Sequence, residues 1–396
     1  MSAPTALRLV ADDLSGAAEC AAVLAMATGR PAPLLLGDAA PHAGSYAVDT
    51  DGRESDAATA AQRTTLAVRQ ALRQRIPGER VLAYKKIDST LRGHIAGELE
   101  ALLAEPGLFD AAIVCPALPE QGRTLRGGVL HVRGEPLKDL GELLRAADER
   151  AALIDAGDSI DEALARGARL LAMDAEDEAA LDRIASALLR SERRLLAVGS
   201  AGLAKALARH LFESRAPELD PPRAGTGPIV GVMGSFSPVA ASQLEAIARG
   251  GHAAVIRLAP AGWLDAERAA EAVEQARRVS SEGRPVVLTS QGAPDPGSSS
   301  RALVQAMAAA AEPLLRSAST LLLTGGDTAR AVLDRLRIHE LQVLGELEPG
   351  ICVSRPARLD GAPRIVTKAG AFGGAGALLR VIRRFDTHLI REEGSA

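Results

Sequence analysis

Short apolar runs alternate along the chain with longer stretches in which Ala and Leu recur at helical spacing. Several of these runs are apolar at every position, which is typical of strands covered on both faces of a parallel sheet. The alternation predicts βα units and an α/β fold. The predicted strands are 7–11, 33–37, 45–50, 81–85, 111–117, 170–175, 195–200, 229–235, 253–258, 285–290, 320–326 and 364–370.

A segment rich in Pro and Gly, SRAPELDPPRAGTGP (214–228), interrupts this rhythm and has no period of its own. The chain has 396 residues, more than one average domain of roughly 100–200 residues holds. We therefore expect two domains, 1–220 and 221–396. Each is expected to be a mostly parallel sheet flanked by helices, with the active site in the cleft between them.

Charged turns follow two strands near the start of the chain. Asp12 and Asp13 follow the first strand, and DTDGRES (49–55) follows the third. An aspartate pair can cap a helix, hold Mg²⁺ or accept a proton from a hydroxyl, and the sequence leaves these roles open. The turn 49–55 on its own indicates no more than a polar surface turn.

The turn after the fourth strand, YKKIDSTLRG, places three cations and an aspartate within ten residues. Lys85 and Lys86 lie on opposite faces of the strand end, because side chains alternate along a strand. We expect Ser89 or Thr90 to cap the next helix, with Arg92 near its positive end. Cations oppose the helix dipole there, so the cluster favours an anion site over a capped helix with surface lysines.

The loop after the fifth strand, 115–137, is long and rich in Gly and Arg, and Arg123 in it can add a second anion contact. The turns of the second half are neutral and rich in Gly and hydroxyl groups, which offer backbone N–H groups to phosphates. Neither a P-loop motif nor a usable dinucleotide fingerprint is present. The Gly-rich turns are GSFSP (234–238), SQG (290–292), TGGDT (324–328) and KAGAFGG (368–374).

Composition narrows the expected partners. The net charge is −4 at pH 7 and aromatic residues make up 2% of the chain, so we expect no nucleic-acid surface. Three scattered cysteines indicate free thiols in a reducing compartment. No apolar run has the length of a membrane span, and the N-terminus lacks the features of a signal peptide. We expect a cytoplasmic protein, and a homodimer on base rates alone.

The charged turns of one domain and the Gly-rich turns of the other indicate phosphoryl transfer to a small polyhydroxy anion. That reaction depends mostly on positioning and on charge neutralisation. Two other functions stay open at this point. One is a lyase or isomerase of a phosphorylated sugar acid, which ATP consumption distinguishes from a kinase. The other is a non-catalytic sensor of a sugar acid and a nucleotide, which substrate-dependent turnover excludes.

At these same turns the chain resembles the four-carbon acid sugar kinase family. The stretches KKIDSTLRG, TGGDT and KAGAFGG carry the specific part of this resemblance. The family implies an enzyme that phosphorylates a four-carbon acid such as threonate, erythronate or 3-oxo-tetronate, with ATP and Mg²⁺. The matching stretches, in family order, are ADDLSGA, DTDGRES, YKKIDSTLRGHIAGEL, PALPEQGRTLRGGVLHVRGEPL, GSAGLA, GSFSPVAASQ, TGGDTARAVL and KAGAFGG.

The resemblance also implies roles for individual residues, with the acid in the N-terminal domain and ATP in the C-terminal domain. The catalytic carboxylate is expected to be Asp12, Asp13 or Asp88. The implied substrate residues are Asp49, Arg53, Lys85, Lys86, Ser89, Arg92 and Arg123. The implied ATP residues are Ser235, Ser237, Gly325, Gly326, Asp327, Thr328, Lys368 and Gly370. No metal ligand is assigned.

Overall fold

The computed structural model describes residues 5–37, 39, 42–74, 76–154, 159–212, 227–290, 292, 300–358 and 362–386. The chain divides into two compact units, Met1–Glu218 and Leu219–Ala396. The predicted boundary at 220 and most of the predicted linker lie outside the described residues. None of the described helices combines the length and the hydropathy that crossing a membrane requires.

The N-terminal unit alternates strands and helices in the predicted way. Its strands are β1 (Thr5–Ala11), β2 (Ala32–Leu36), β3 (Tyr46–Asp49), β4 (Arg80–Lys86), β5 (Ala111–Cys115), β6 (Arg123–Arg126), β7 (Val129–Val132), β8 (Glu135–Asp139), β9 (Ala152–Ile154), β10 (Leu170–Met173) and β11 (Leu195–Gly199). Its helices are α1 (Leu14–Thr28), α2 (Ala57–Arg73), α3 (Ile95–Ala104), α4 (Leu140–Arg145), α5 (Ile160–Ala165), α6 (Glu178–Arg190) and α7 (Ala201–Leu211).

Eight of these strands form a parallel sheet in the order β2-β3-β1-β4-β11-β5-β10-β9. Leu7, Leu9 and Val10 of β1 are completely buried, as expected for a central strand covered by helices on both faces. In the pairing of β1 with β3 and β4, Ala11 lies opposite both Asp49 and Lys86. The residues that follow these three strands therefore leave the sheet at the same edge.

β6, β7 and β8 form a separate antiparallel sheet in the segment that was predicted to be a long loop. Two tight turns connect these strands, and each contains glycine in the left-handed region, Gly127 and Gly128 in the first and Gly134 in the second. The strands escape the sequence pattern because β6 and β7 are only partly buried and β8 is exposed throughout. The predicted loop is thus an ordered hairpin pair.

The C-terminal unit repeats the α/β arrangement. Its strands are β12 (Ile229–Met233), β13 (Ala254–Leu258), β14 (Val286–Ser290), β15 (Thr320–Thr324), β16 (Glu340–Glu348), β17 (Ile351–Pro356) and β18 (Arg364–Lys368). Its helices are α8 (Pro238–Gly250), α9 (Pro260–Leu264), α10 (Ala266–Ser281), α11 (Ser300–Ser317), α12 (Gly326–Arg335) and α13 (Ala377–Phe385). The strand order within the unit is β13-β14-β12-β15-β18-β17-β16.

Within that sheet β13, β14, β12, β15 and β18 run parallel, and β17 pairs antiparallel with both β18 and β16. All twelve predicted strands coincide with observed strands. The strands that the sequence pattern missed are β6 to β9, β16 and β17, which are short or carry polar residues. The mostly parallel two-domain α/β prediction is confirmed.

The turn from β11 into α7, GSAGLA, is explained by close packing. Ser200 caps α7, and its hydroxyl donates a hydrogen bond of 3.0 Å to the carbonyl oxygen of Ala117. A Cβ atom on Gly202 would collide with that same carbonyl, and one on Gly199 would collide with the carbonyl of Cys115. The glycines let α7 approach β5, so this turn needs no ligand to account for it.

We predict that Gly202→Ala destabilises the N-terminal unit by about 2 kcal/mol, because the new methyl group overpacks a backbone contact that cannot move freely. Gly97→Ala is the matched control. Gly97 lies in α3 with open space at its Cβ position, so alanine should stabilise the helix by about 0.5–1 kcal/mol. Urea unfolding followed by circular dichroism measures both, and equal effects of the two variants would contradict the packing argument.

Candidate active site

Arg53 is the centre of a charged cluster at the edge where β1, β3 and β4 end. Its Nε and one terminal nitrogen pair with the two oxygens of Asp12, at 3.0 and 2.6 Å. Its other terminal nitrogen lies 2.7 Å from Asp13 Oδ2 and 3.8 Å from Asp88 Oδ2. One guanidinium group therefore holds all three carboxylates that the sequence singled out as catalytic.

Burial and charge act against each other in this cluster. Burial alone would raise the pKa of Asp12, but Lys85, Arg53 and Lys86 together hold it below its ordinary value. Burial likewise tends to lower the pKa of Arg53, and the charges of Asp13 and Asp12 raise it instead. The ion pairs thus keep both partners charged although little water reaches them.

The backbone around Asp12 is shaped to accommodate it. Asp13 caps α1 by accepting a hydrogen bond of 2.9 Å from the N–H of Gly16. The carbonyl of Asp12 accepts hydrogen bonds from the N–H groups of Gly52 and Arg53, at 2.9 and 3.0 Å. Gly93, with a left-handed φ of 91°, lies so close that a Cβ atom there would be 2.7 Å from Asp12 Oδ2. Three separate turns therefore close around this one carboxylate.

The turn after β4 differs from its prediction. Neither Ser89 nor Thr90 caps α3, because that helix begins at Ile95, with His94 at the N-cap position and no side-chain cap. Thr90 instead donates its N–H and its hydroxyl to Asp88. The intervening residues form a turn of their own that Asp88 organises. The predicted cap by Ser89 or Thr90 is therefore wrong, and Arg92 precedes the N-cap residue by two positions.

Asp88 also binds Arg92, whose terminal nitrogen donates a hydrogen bond of 2.6 Å to Asp88 Oδ2. Burial would raise the pKa of Asp88, but the hydrogen bond from Arg92 and the charge of Arg53 depress it far below its ordinary value. The Arg92 side chain keeps 66% of its surface exposed, so it remains accessible to a ligand. Ser89 beside it is buried.

Lys85 and Lys86 point to opposite faces of the sheet, as strand alternation predicts. Lys85 Nζ lies 3.0 Å from Glu98 Oε1 of α3, with both side chains almost fully buried. Lys86 Nζ lies 3.4 Å from Glu19 Oε2 of α1. Burial would lower the pKa of Lys86, but Glu19 and neighbouring groups raise it. The lysines therefore have internal partners, and the argument that they require an external anion fails.

The remaining predicted substrate residues lie in different surroundings. Asp49 is completely buried and accepts a hydrogen bond of 2.8 Å from the N–H of Asp51, within its own turn. Arg123, at the start of β6, donates a hydrogen bond of 2.7 Å to the side-chain oxygen of Gln121. Burial lowers the pKa of Arg123, and the charge of Asp88 opposes that shift. The hairpin sheet thus brings Arg123 within electrostatic reach of Asp88.

Three Gly-rich turns meet in the C-terminal unit, because β12, β15 and β18 are neighbours in its sheet. The N–H of Gly325 donates to the carbonyl of Lys368 at 2.9 Å, and the Ser237 hydroxyl donates to the carbonyl of Gly370 at 2.7 Å. A Cβ atom on Gly370 would collide with the hydroxyl of Ser235. Glycine is therefore required for these turns to approach one another.

Two helices begin at this meeting point. Ser237 caps α8 by accepting a hydrogen bond of 3.0 Å from Ala240 N–H. α12 begins after Gly325, which has a φ of 100° and provides no side chain to cap the helix. The N–H groups of its first turn therefore suit an anion, and Gly326, Asp327 and Thr328 lie in that turn. Asp327 is exposed there, whereas Thr328 is buried.

Lys368 is enclosed by its own turn. Its ammonium group donates to the carbonyl oxygens of Ala369, Gly370 and Phe372, at 2.7, 3.1 and 3.0 Å. Gln243 of α8 holds the same turn from the other side, with a hydrogen bond of 3.1 Å to the carbonyl of Phe372. Burial lowers the pKa of Lys368 to about 8. The backbone carbonyl dipoles stabilise this cation. Lys368 can contact a phosphate only if its hydrogen bonds to the turn break.

No group of three or more His, Cys, Asp and Glu side chains could hold a metal ion in the described part of the chain. The three aspartates around Arg53 do not form such a group, since the guanidinium occupies the position that a cation would take. Of the four predicted Gly-rich turns, SQG falls partly outside the described residues, because position 291 is not described.

Known protein families and individual proteins match most of this chain. Residues 7–142 and 141–207 match the family model of a sugar-binding N-terminal domain, and residues 230–378 match that of a nucleotide-binding C-terminal domain. A D-threonate kinase from Cupriavidus necator is 36% identical over 93% of this chain and 95% of its own. A 3-oxo-tetronate kinase from Methylobacterium radiotolerans is 32% identical over 93% of this chain and 97% of its own. The chain belongs to the four-carbon acid sugar kinase family.

A solved structure extends this likeness to the fold. A crystal structure from Salmonella typhimurium LT2 has a TM-score of 0.75 at 20% sequence identity, and the match covers 96% of this chain and 99% of that one. In this member of the four-carbon acid sugar kinase family, the Arg53 cluster lies within the stretch matched as sugar-binding. The three Gly-rich turns lie within the stretch matched as nucleotide-binding.

Sequence reasoning missed Glu19, Glu98 and Gln243. Each is a buried polar residue on a helix face that otherwise consists of apolar residues. That position is itself a signal, because a carboxylate is almost never buried without a partner. The two lysines at the end of β4 were visible in the sequence, so their partners could have been sought on the flanking helices.

We predict that Glu98→Gln destabilises the N-terminal unit by about 3–5 kcal/mol, because it removes the carboxylate that pairs with the buried Lys85 charge. The double variant Lys85→Met with Glu98→Leu should recover most of that loss, since it removes both charges and fills the space with apolar groups. Urea unfolding of the three proteins measures this difference. A double variant as unstable as the single variant would show that the unpaired Lys85 charge is not the cause of the loss.

Proposed function

We propose that this member of the four-carbon acid sugar kinase family transfers the γ-phosphate of ATP to a hydroxyl group of a four-carbon sugar acid. Threonate, erythronate and 3-oxo-tetronate are the acids in question. The observation that carries the proposal is the similarity to a D-threonate kinase over both units, together with a charged site in one unit and a phosphate-binding arrangement in the other. The expected domain roles follow, with the acid bound by residues 1–220 and ATP by residues 221–396.

The acid binds in the N-terminal unit through the accessible cations. Arg92 contacts the substrate carboxylate, because its guanidinium group is largely exposed and has one carboxylate partner. Arg123 adds a second contact. Lys85, Lys86 and Asp49 are buried and support the turn from below, and Ser89 and Arg53 maintain its shape. The resemblance implied that all seven residues contact the substrate. We assign direct contact only to Arg92 and Arg123, because most of the other residues are buried.

Asp13 is the carboxylate best placed to accept the proton of the attacked hydroxyl. Its side chain is the most exposed of the three, at 14%, against 3% for Asp12 and 10% for Asp88. Asp12 is enclosed by a bidentate pair with Arg53, and Asp88 receives hydrogen bonds from Thr90 and Arg92. A base must reach the proton that it accepts, so exposure decides among these three.

ATP binds at the meeting point of the three Gly-rich turns. Backbone N–H groups of Gly326 and Gly370 face the phosphates. Gly325 closes its turn through the hydrogen bond to the carbonyl of Lys368, and the hydroxyls of Ser235, Ser237 and Thr328 order the turns around the phosphates. Lys368 supplies a cation once its turn opens. Mg²⁺ would be held mainly by the ATP phosphates and would neutralise part of their charge. Asp327 is an exposed carboxylate in the first turn of α12.

The proposed location of the protein is the cytoplasm, and the proposed assembly is a homodimer. Cys20, Cys115 and Cys352 are buried and form no disulfide among the described residues, which supports the expected cytoplasmic, reducing compartment. The expected homodimer rests on the frequency of such assemblies, and light scattering of the purified protein measures it directly.

The first test is ADP release from ATP and Mg²⁺ with threonate, erythronate and 3-oxo-tetronate in both stereochemical forms, and with water as the control. We expect strong ADP release with one acid, and mass spectrometry should find a phosphorylated acid as the product. Binding of ATP without ADP release from any acid in the panel would retain the nucleotide site and overturn the four-carbon assignment.

We predict that Asp13→Asn lowers kcat by about 10²–10⁴-fold with little change in KM, because it removes the base and keeps the cap on α1. Asp12→Asn is the control, and it should mainly lower the unfolding midpoint because Arg53 loses a buried partner. Steady-state kinetics and thermal unfolding separate the two effects. If both variants keep near-normal kcat, the assignment of the base to this pair is wrong.

A further inference from the structure

Arg133 occupies an unfavourable backbone position at the tip of the hairpin that joins β7 to β8. The turn has two residues, Arg133 and Gly134, and both have left-handed φ values, of 53° and 88°. Turns of this kind favour Asn, Asp or Gly at the first position, because a larger side chain is strained there. An arginine that is kept in such a position calls for an explanation in terms of what its side chain does.

The hairpin tip packs on the residue next to Arg123. The N–H of Arg133 donates a hydrogen bond of 2.6 Å to the carbonyl of Gly122. A Cβ atom on Gly122 would lie 3.4 Å from Cγ of Arg133, so the stem of the arginine covers this glycine. Gly122 has a left-handed φ of 69°. The two loops are thus fixed against each other, and Arg133 comes close to Arg123.

Arg92 and Arg133 both lie within electrostatic reach of Arg123, and so does Asp88. Burial lowers the pKa of Arg123, and the positive charges of Arg133 and Arg92 lower it further, against the opposing effect of Asp88 and Glu19. Arg133 is exposed, and no described carboxylate lies within ion-pair distance of it. Like charges held this close favour the binding of an anion among them.

We propose that Arg133 is a further substrate-recognition residue, which binds the carboxylate of the sugar acid together with Arg92 and Arg123. This inference rests on the proposed function of the N-terminal unit. A guanidinium group suits the task because its planar donors match the two oxygens of a carboxylate. The hairpin sheet of β6, β7 and β8 is then the element that makes the enzyme select an acid over an uncharged polyol.

Arg133→Gly tests this proposal, because a structural role and a functional role predict opposite results. Glycine adopts the left-handed φ without strain, so the variant should unfold at the same temperature as the wild type or higher. The loss of a charged hydrogen-bonding group should still raise KM for the acid about tenfold or more, with little change in kcat. A merely structural arginine would leave KM unchanged, and that result overturns the proposal.

Arg337→Gly is the matched control. Arg337 is an exposed arginine of the C-terminal unit with a left-handed φ of 57°, so the substitution relieves the same backbone strain in the unit that is not proposed to bind the acid. It should match Arg133→Gly in thermal unfolding and leave KM for the acid at the wild-type value. An equal rise of KM in both variants would assign the effect to the backbone and overturn the proposal.

The neutral amide of the same acid shows which group Arg133 recognises. Wild-type enzyme should prefer the acid, and Arg133→Gly should lose much of that preference, since only the charged substrate gains from the arginine. An equal rise of KM for acid and amide would mean that Arg133 does not bind the carboxylate.

Calorimetric titration of the acid without ATP separates this inference from the proposed function. One outcome is that the wild type binds the acid, that Arg133→Gly binds it more weakly, and that neither protein forms ADP. In that case the kinase proposal fails and the recognition site stands. If turnover is normal and Arg133→Gly binds the acid as the wild type does, the recognition site fails alone. If the wild type binds no four-carbon acid, both are overturned.

Discussion

Three carboxylates on two turns of one sheet edge repel one another, and Arg53 is the group that lets them remain together. It binds Asp12 with two nitrogens and contacts Asp13 and Asp88 with the third. The turn after β3 supplies this arginine, the turn after β1 supplies two of the carboxylates, and the turn after β4 supplies the other. The register of three parallel strands is therefore what assembles the charged site, since Ala11 lies opposite both Asp49 and Lys86.

Below this cluster the sheet carries charge where a parallel sheet is usually apolar. Lys85 pairs with Glu98 on one face and Lys86 with Glu19 on the other, so each charge is compensated on its own side. Pairs buried this deeply add little net stability compared with apolar residues. Their value lies in position, because they hold the end of β4 and with it the turn that carries Asp88 and Arg92. The charged cluster thus depends on ion pairs that lie below it in the sheet.

The two units compensate charge in different ways. In the N-terminal unit, cations are balanced by carboxylates, and the arginines left over suit a carboxylate ligand. In the C-terminal unit, Lys368 is balanced by three carbonyl oxygens and the start of α12 offers N–H groups, so the site consists largely of backbone. Backbone donors and glycine turns suit phosphates, which need many hydrogen bonds at close range. This difference in chemistry matches the division of labour between an acid and ATP.

The sequence by itself determined the α/β class, the positions of twelve strands and the two kinds of turn, because those features follow from local hydrophobic period and from turn composition. It also placed Asp12, Asp13, Asp88 and the Gly-rich turns directly after strands, where polar residues collect at one edge of a parallel sheet. Only the tertiary structure decided that Arg53 holds the aspartates, that Lys85 and Lys86 are paired, and that α3 begins at Ile95. The partners in those pairs come from elements tens of residues away, and spacing along a chain does not show which distant side chains meet. For the same reason the hairpin sheet and the role of Arg133 were not predicted from the sequence, because both depend on how one turn packs against another.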